Sequence, residues 1–116
     1  VDGIDFSFRV EGTSRDLPPD VENSLLRIAQ EAIANAVRHS GARHVVAGLR
    51  YGRDQVTLKV EDDGRGFDSV GHRAGGRDGG LGLSGIRERA EAMHAALQIQ
   101  SRRGEGTRIE VAVGSE

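Results

Sequence analysis

The spacing of apolar residues changes along this chain of 116 residues, and these changes constrain its fold more than any other feature. The first apolar residues alternate with polar ones, which is the period of a half-buried strand. They are Ile4, Phe6, Phe8 and Val10. Apolar residues then recur every three or four positions from 21 to 36, after the helix-start signal Pro18-Pro19-Asp20. A strand followed by a long amphipathic helix is therefore predicted.

The rest of the chain contains four more predicted strands and a second helix. Segments 45–51 and 55–61 are typical of strands joined by a short turn, so a hairpin is expected. Residues 64–82 are rich in glycine and contain little that could pack, which predicts a loop. A helix from about 86, a strand at about 97–102 and a last strand with apolar residues at 109, 111 and 113 follow. This length allows one domain, covering residues 1–116.

Composition excludes several classes of partner and site. The chain has 16 basic and 18 acidic residues and no broad cationic field, so neither nucleic acid nor a membrane is an expected partner. The lack of cysteine excludes disulfides and thiolate metal sites, and it fits a cytoplasmic location. Lys59 is the only lysine and no P-loop motif is present. Bound phosphates would therefore be met by arginine, a metal ion or main-chain amides.

Three polar residues share one edge of the first predicted helix. At about 100° per residue, Glu31, Asn35 and Arg38 fall within roughly 60° of one another, beside the apolar stripe. A carboxylate can order a water or accept a proton, an amide oxygen suits Mg²⁺, and a guanidinium can bind phosphate. A solvated helix flank would show the same pattern. These three residues therefore indicate a site only together with the two other motifs.

Asp62 continues the phase of an apolar strand. The apolar residues of segment 55–61 point to one face, so the Asp62 carboxylate is predicted to point inward too. A buried carboxylate needs a donor, and the exocyclic amine of adenine is a fitting one. Gly64 and Gly66 would let the main chain approach a flat ring, and Thr107, in phase with the last strand's inward residues, is expected at the same end. The alternative is an Asp-Asp-Gly turn that closes a strand.

Glycines precede the second predicted helix in the order Gly80-x-Gly82-x-x-Gly85, which matches the dinucleotide-binding fingerprint. The context argues against that fold, because a glycine-rich loop precedes the motif and residues 93–103 contain no acidic side chain. What remains is a helix start whose free N–H groups and dipole favour an anion.

In this order, the three motifs resemble the catalytic ATP-binding domain of a bacterial two-component sensor histidine kinase, in the gyrase–Hsp90–kinase–MutL superfamily. Residues 31–39 resemble its N box, 62–66 and 80–83 its first two glycine boxes, and 104–107 its last glycine-and-threonine box. Segment 82–90 is similar to the subgroup whose response regulators are of the NarL type. The resemblance covers essentially the whole chain.

The resemblance implies a two-layer α/β sandwich of the Bergerat type, with a mixed, mostly antiparallel sheet packed on helices and a flexible ATP lid at about 68–80. Asn35 would bind Mg²⁺, Glu31 would act as base or polarising carboxylate, and Asp62 would bind the adenine amine. Arg38 would act at the phosphates. The other expected nucleotide contacts are His39, Gly64, Gly66, Phe67, Gly80, Leu81, Gly82, Leu83 and Thr107. Asp63, where relatives often have Asn, is expected to face away from adenine.

The implied activity is transfer of the γ-phosphoryl group of ATP to a histidine on a separate dimerisation domain, upstream of a NarL-type response regulator. None of the four histidines lies on an upstream helix pair. The chain is therefore expected to bind ATP or ADP as a monomer but not to autophosphorylate, whether or not its parent kinase is membrane-anchored. Two alternatives stay open: an anti-sigma-factor-like serine kinase or binding module of the same superfamily, and a degenerate nucleotide-binding domain that serves as an interaction module.

Overall fold

The structure, a computed structural model, describes residues 4–38, 41–65, 83–102 and 104–114. In these residues five strands form one sheet, and two helices pack against one of its faces. In chain order the elements are β1 (Asp5–Glu11), α1 (Pro19–Arg38), β2 (His44–Tyr51), β3 (Gln55–Asp62), α2 (Leu83–Ala92), β4 (Ala96–Ser101) and β5 (Thr107–Gly114). Each lies close to its predicted position. The predicted ATP lid at about 68–80 lies outside the described residues.

The sheet is mixed and mostly antiparallel, with the strand order β1-β2-β3-β5-β4. β1 runs parallel to β2 because α1 connects them as a crossover, whereas the other neighbours are antiparallel. β2 and β3 form the predicted hairpin, in which the Gly52 amide donates to the Gln55 carbonyl at 2.8 Å. The C-terminal end of β3 therefore lies beside the start of β2 and the start of β5.

Helix α1 has the sequence signals of both of its ends. Pro19 occupies its first position, and Asp20 and Glu22 lie in its first turn, where negative charge favours the helix dipole. Arg38 lies in its last turn, where a positive charge does the same. Neither α1 nor α2 contains an apolar stretch of the length and hydrophobicity that a bilayer crossing requires.

The core lies between the two helices and the sheet and consists of aliphatic side chains. Those of β3 and β5 alternate in the sequence, as predicted, and face the helices. The buried cluster comprises Leu25, Ile28, Ala32, Ala36, Ala42, Val45, Ala47, Val56, Leu58, Val60, Leu83, Ile86, Ile109, Val111 and Val113.

The first strand differs from its prediction in burial. Phe6, Phe8 and Val10 are all more than half exposed, at 52%, 54% and 53%. They point to the same side of the sheet as their buried β2 neighbours Val45 and Ala47, but β1 is an edge strand and the helices pack mainly on β2, β3 and β4. The predicted strand is confirmed, and its predicted half-burial is wrong.

Candidate nucleotide site

Three polar side chains form a row at one end of the helix-facing side of the sheet. Asp62 is the last residue of β3, its register partner on β5 is Thr107, and Thr107 also pairs with Ser101 on β4. Paired residues point to the same face of a sheet, so all three side chains follow the direction of the buried Val60 and Ile109. The structure thus places Asp62 inward and brings it together with Thr107.

Hydrogen bonds order this row, here called the Asp62 row (Asp62, Thr107 and Ser101). The Gly64 amide donates to Asp62 Oδ1 at 2.8 Å, which orients the carboxylate. The Ser101 hydroxyl donates to the Gly106 carbonyl at 3.1 Å and shares a hydrogen bond with the Thr107 hydroxyl at 2.9 Å. An open groove of about 670 Å³ passes along the row. The end of the sheet therefore presents oriented oxygen atoms to a cavity.

Gly106 explains the glycine-threonine motif before β5. Its φ is +84°, and a Cβ atom added to it would lie 2.1 Å from the main-chain carbonyl oxygen of Asp62. Only glycine fits this approach. Nearby, the Gly104 amide donates to the Arg65 carbonyl at 2.5 Å, so the residues after Asp62 are tied to the β4–β5 turn. The two chain segments that carry Asp62 and Thr107 are thus held in contact.

The second group of predicted residues, Glu31, Asn35 and Arg38, lies along α1. Glu31 Oε1 accepts a hydrogen bond from Arg89 Nε on α2 at 3.3 Å. A Cβ atom added to Gly85 would lie 2.7 Å from Glu31 Oε2, so α2 packs directly against this carboxylate. Arg89 and Glu31 remain 38% and 32% exposed, so solvent partly screens the pair. Arg38 is exposed.

Asn35 has an unusual environment. Its amide nitrogen Nδ2 is buried and has no hydrogen-bond partner among the described residues. A buried donor without an acceptor costs about 1–3 kcal/mol, so such groups call for an explanation. A bound phosphate oxygen would satisfy this N–H donor, while the amide oxygen Oδ1 of the same side chain is the atom that suits Mg²⁺.

The end of α1 and the end of β3 lie at the same end of the sheet. Residues 39–43 lead from α1 to His44 at the start of β2, and the Asp63 amide donates to the His44 carbonyl at 3.2 Å. The C-terminal half of α1, which carries Glu31 and Asn35, therefore approaches the end of the sheet that carries the Asp62 row.

The start of α2 lies against this region, because Gly85 packs on the Glu31 carboxylate. The Leu83 side chain is buried in the core, so a phosphate contact predicted there can involve only its main-chain amide, one of those that a helix leaves unsatisfied at its N terminus. The remaining predicted site residues lie outside the described residues: His39, Gly66, Phe67, Gly80, Leu81 and Gly82.

Asp63, the neighbour of Asp62, is bound by a different part of the molecule. Its Oδ1 accepts hydrogen bonds from the amides of Arg43 and His44 at 2.8 and 2.9 Å, and its Oδ2 lies 2.6 Å from His44 Nδ1. The bond from the His44 amide, with the side-chain bond, lowers the pKa of Asp63 to about 2. The hydrogen bond to Asp63 raises the pKa of His44, and Asp5 lies 3.5 Å from His44 Nε2. The Asp63 side chain thus connects the end of β3 to the start of β2, while Asp62 lines the groove.

Comparison with known proteins agrees with this geometry. A family model described as histidine kinase-, DNA gyrase B- and HSP90-like ATPase matches residues 20–115. The chain belongs to this ATPase family. The match includes nearly all of α1, the carboxylates of Asp62 and Asp63, α2 and the Gly106-Thr107 motif, so this ATPase domain contains every group of site residues described above.

Three similar curated proteins are histidine kinases by name. The ATPase domain is 31% identical over 111 residues to the signal transduction histidine-protein kinase/phosphatase DegS of Brevibacillus brevis, covering 96% of this chain and 28% of DegS. DegS of Bacillus subtilis (strain 168) is 32% identical over 112 residues, with 95% and 29% covered. The sensor histidine kinase LiaS of the same strain is 36% identical over 110 residues, again with 95% and 29% covered. The chain spans less than a third of these relatives.

Solved structures share the fold of the ATPase domain. The histidine kinase domain of the blue-light-activated histidine kinase of Erythrobacter litoralis superposes with a TM-score of 0.70 at 24% identity, covering 93% of this chain and 54% of that one. The ATP-binding domain of PrrB from Mycobacterium tuberculosis gives 0.72 at 22% identity, with 100% and 83% covered. The predicted α/β sandwich is confirmed, as is the resemblance to histidine-kinase ATP-binding domains.

Among the described residues, Ser101 and Arg89 were not predicted as site residues, yet their side chains bond predicted ones. Ser101 bonds Thr107, and Arg89 bonds Glu31. A signal for each is present in the sequence: Ser101 continues the inward phase of β4, and Arg89 lies four positions after Gly85, on the same face of α2. Their partners, however, come from other elements and become visible only in the folded chain.

Proposed function

We propose that this ATPase domain binds ATP with Mg²⁺ and supplies the γ-phosphoryl group to a histidine on a separate dimerisation domain, in two-component signal transduction. The observation that carries the proposal is the inward Asp62 carboxylate, paired with Thr107 at the sheet end and bordered by an open groove. Membership of the ATPase family and the sensor-kinase relatives support it.

Asp62 would recognise the base. A carboxylate accepts several hydrogen bonds at once, so the bond from the Gly64 amide is compatible with a second one from the exocyclic amine of adenine. Gly64 is buried and brings the main chain close to the carboxylate without a side chain in the way. Gly66 and Phe67 would continue this wall of the adenine pocket.

The edge of α1 would meet the phosphates. Asn35 would hold Mg²⁺, which supplies charge neutralisation of the phosphoryl oxygens when bound. Arg38 would bind phosphate oxygens, together with His39 and the main-chain amides around Gly80, Leu81, Gly82 and Leu83. Glu31, held by Arg89, would order a water or polarise the attacking group from a fixed position.

The location of the domain and its protein partners follow from the same proposal. Because ATP is the phosphoryl donor, we place the domain in the cytoplasm. Its direct partner would be the histidine-bearing dimerisation domain, and the similarity of segment 82–90 to the NarL-type subgroup favours a response regulator of that type. A serine kinase of the same superfamily is the other candidate, and the two differ in the chemistry of their product.

Titration calorimetry with ADP and Mg²⁺ tests the nucleotide site. Asp62→Asn replaces an acceptor with an amide that also donates, so ADP affinity should fall by roughly a hundredfold, as expected when a charged hydrogen bond is lost and a donor faces a donor. Asp63→Asn is the matched control, because it makes the same chemical change one residue away on a side chain bound to His44. Equal losses in the two variants would contradict the assignment of Asp62.

The same titrations test the metal position. Asn35→Ala should abolish the dependence of ADP affinity on Mg²⁺ while leaving metal-free binding measurable. A folded Asn35→Ala variant with an unchanged Mg²⁺ dependence would exclude Asn35 as the ligand.

The stability of the phosphorylated product tests the kinase class. The chain is mixed with radiolabelled ATP and the dimerisation domain of its parent kinase. A phosphohistidine loses its label in acid and keeps it in base, whereas phosphoserine behaves in the opposite way. Acid-labile label on the dimerisation domain is expected, and acid-stable label would favour the serine kinase.

A further inference from the structure

We propose that Ser101 sets the base specificity of the site, because it orients the Thr107 hydroxyl so that this group accepts hydrogen bonds from the base and does not donate them. Ser101 is a positioning residue, since it acts through Thr107. The inference rests on the proposed nucleotide site and assigns a role to a residue outside the motifs that define the family resemblance.

The hydrogens of the Ser101 and Thr107 hydroxyls decide which of the two groups donates to the other. A hydroxyl carries one hydrogen and two lone pairs. The Ser101 hydrogen is used on the Gly106 carbonyl at 3.1 Å. The 2.9 Å contact between the Ser101 and Thr107 hydroxyls therefore needs its hydrogen from Thr107. With its only hydrogen directed at Ser101, Thr107 presents lone pairs to other partners.

The position of Ser101 makes this arrangement stable. Ser101 is only 9% exposed, at the end of β4, where water cannot easily replace Thr107 as its partner. Its acceptor, the Gly106 carbonyl, belongs to a glycine whose φ of +84° and close approach to Asp62 allow little movement. The direction of the Thr107 hydrogen is therefore fixed by main-chain geometry.

The consequence is a pair of acceptors at the end of the sheet. The Asp62 carboxylate is an acceptor, and the register places Thr107 directly opposite it on β5. A base edge with an amine, as in adenine, offers two hydrogens to such a pair. A base with a carbonyl at the same position, as in hypoxanthine, would set oxygen against oxygen. Ser101 thus contributes to the selection of adenine.

The test compares ADP with inosine diphosphate, which differs at the base edge and shares the ribose and phosphates. Both are titrated with Mg²⁺ into the wild-type chain and Ser101→Ala. In Ser101→Ala the Thr107 hydroxyl is free to donate to the carbonyl of hypoxanthine. The preference for ADP over inosine diphosphate, measured as the ratio of the two affinities, should therefore fall by roughly threefold to tenfold, about the effect of one hydrogen bond. Ser7→Ala, a change of the same kind at an exposed serine of β1, should leave the ratio unchanged.

The outcomes separate this inference from the proposed function. A wild-type chain that binds neither nucleotide overturns both. A wild-type chain that prefers ADP, with the same ratio in folded Ser101→Ala, overturns only the role of Ser101. If circular dichroism shows Ser101→Ala to be unfolded, the isosteric Thr107→Val decides: it removes the acceptor, so the ratio should narrow again, and an unchanged ratio overturns the inference.

Discussion

Strands β1 and β3 each point a row of apolar side chains toward the helix side of the sheet, but only the row on β3 is covered. Val60 on β3 is 2% exposed, whereas Phe8 on β1 is 54% exposed. Their sequences have the same alternation, and Ala47 lies between them in register as the neighbour of both. The strands differ in position: β3 is the central strand and lies under α1, whereas β1 is the edge strand on the side away from α2 and β4.

Alternation in a strand sequence therefore specifies the face to which a side chain points and not what covers that face. On β3 the covered face continues into the site, because the phase that buries Val60 also directs Asp62 at the groove. On β1 the side chains that point to the same face are exposed to solvent. Stability and nucleotide binding should therefore both respond strongly to changes on β3 and weakly to equivalent changes on β1.

The largest expected difference is between Val60→Asp and Phe8→Asp. A carboxylate at position 60 would be buried among aliphatic side chains without a partner, which should cost about 4 kcal/mol or more and unfold the chain. At position 8 the carboxylate would meet water, and the change should cost about 1 kcal/mol or less. Urea unfolding, monitored by circular dichroism, measures the free energy of unfolding of both variants. Similar losses would mean that β1 is covered in solution.

A second pair of variants separates stability from binding. Gly12 after β1 and Gly106 before β5 have φ values of +83° and +84°, and an added Cβ would lie 2.2 and 2.1 Å from a carbonyl oxygen, of Tyr51 and Asp62 respectively. Alanine at either position should destabilise the domain by about 1–3 kcal/mol.

Only Gly106→Ala should also weaken ADP binding, by roughly tenfold, because it displaces the main chain that carries Asp62 and Thr107. Thermal unfolding measures the loss of stability. Titration calorimetry, at a temperature where both variants are folded, measures the ADP affinity. If Gly12→Ala weakens ADP binding as much as Gly106→Ala, the end of the sheet that carries Asp62 and Thr107 is not where ADP binds.

The smallest expected effect concerns the polar cluster that joins the two strands, in which His44 lies between Asp5 and Asp63. The pKa of Asp63 is lowered to about 2, so its contribution to stability is present above its usual pKa of 3.8 and is lost as pH falls toward 2. The pKa of His44 is raised, so its contribution is complete below 6.5 and is lost as pH rises through the raised value.

The difference in melting temperature between the wild-type chain and Asp63→Asn should therefore be greatest at weakly acid pH and shrink on either side. It should be small, and smaller in high salt, because the groups are exposed. His94→Asn removes another exposed histidine, at a left-handed position with φ 57° that asparagine tolerates, and serves as the control. A wild-type advantage that grows above the His44 pKa would contradict the predicted sign.

Much of the fold and part of the site could be predicted because they depend on local pattern. The periods of two and of three to four residues located all seven described elements, and the phase of β3 directed Asp62 inward. The edge of α1 that carries Glu31 and Asn35 follows from helix geometry alone. The sequence motifs and their order also identified the ATPase family.

Contacts between distant segments could not be read in this way. Arg89 is 58 positions from Glu31, and nothing local pairs them until α2 packs on α1. The exposure of β1 depends on which strands the helices cover, and the hydrogen bond between Ser101 and Thr107 depends on the register of β4 on β5. Local periodicity thus determined which elements form and which way their side chains point. What each side chain contacts depends on the tertiary structure, because burial and hydrogen-bond partners are set by packing between elements far apart in the chain.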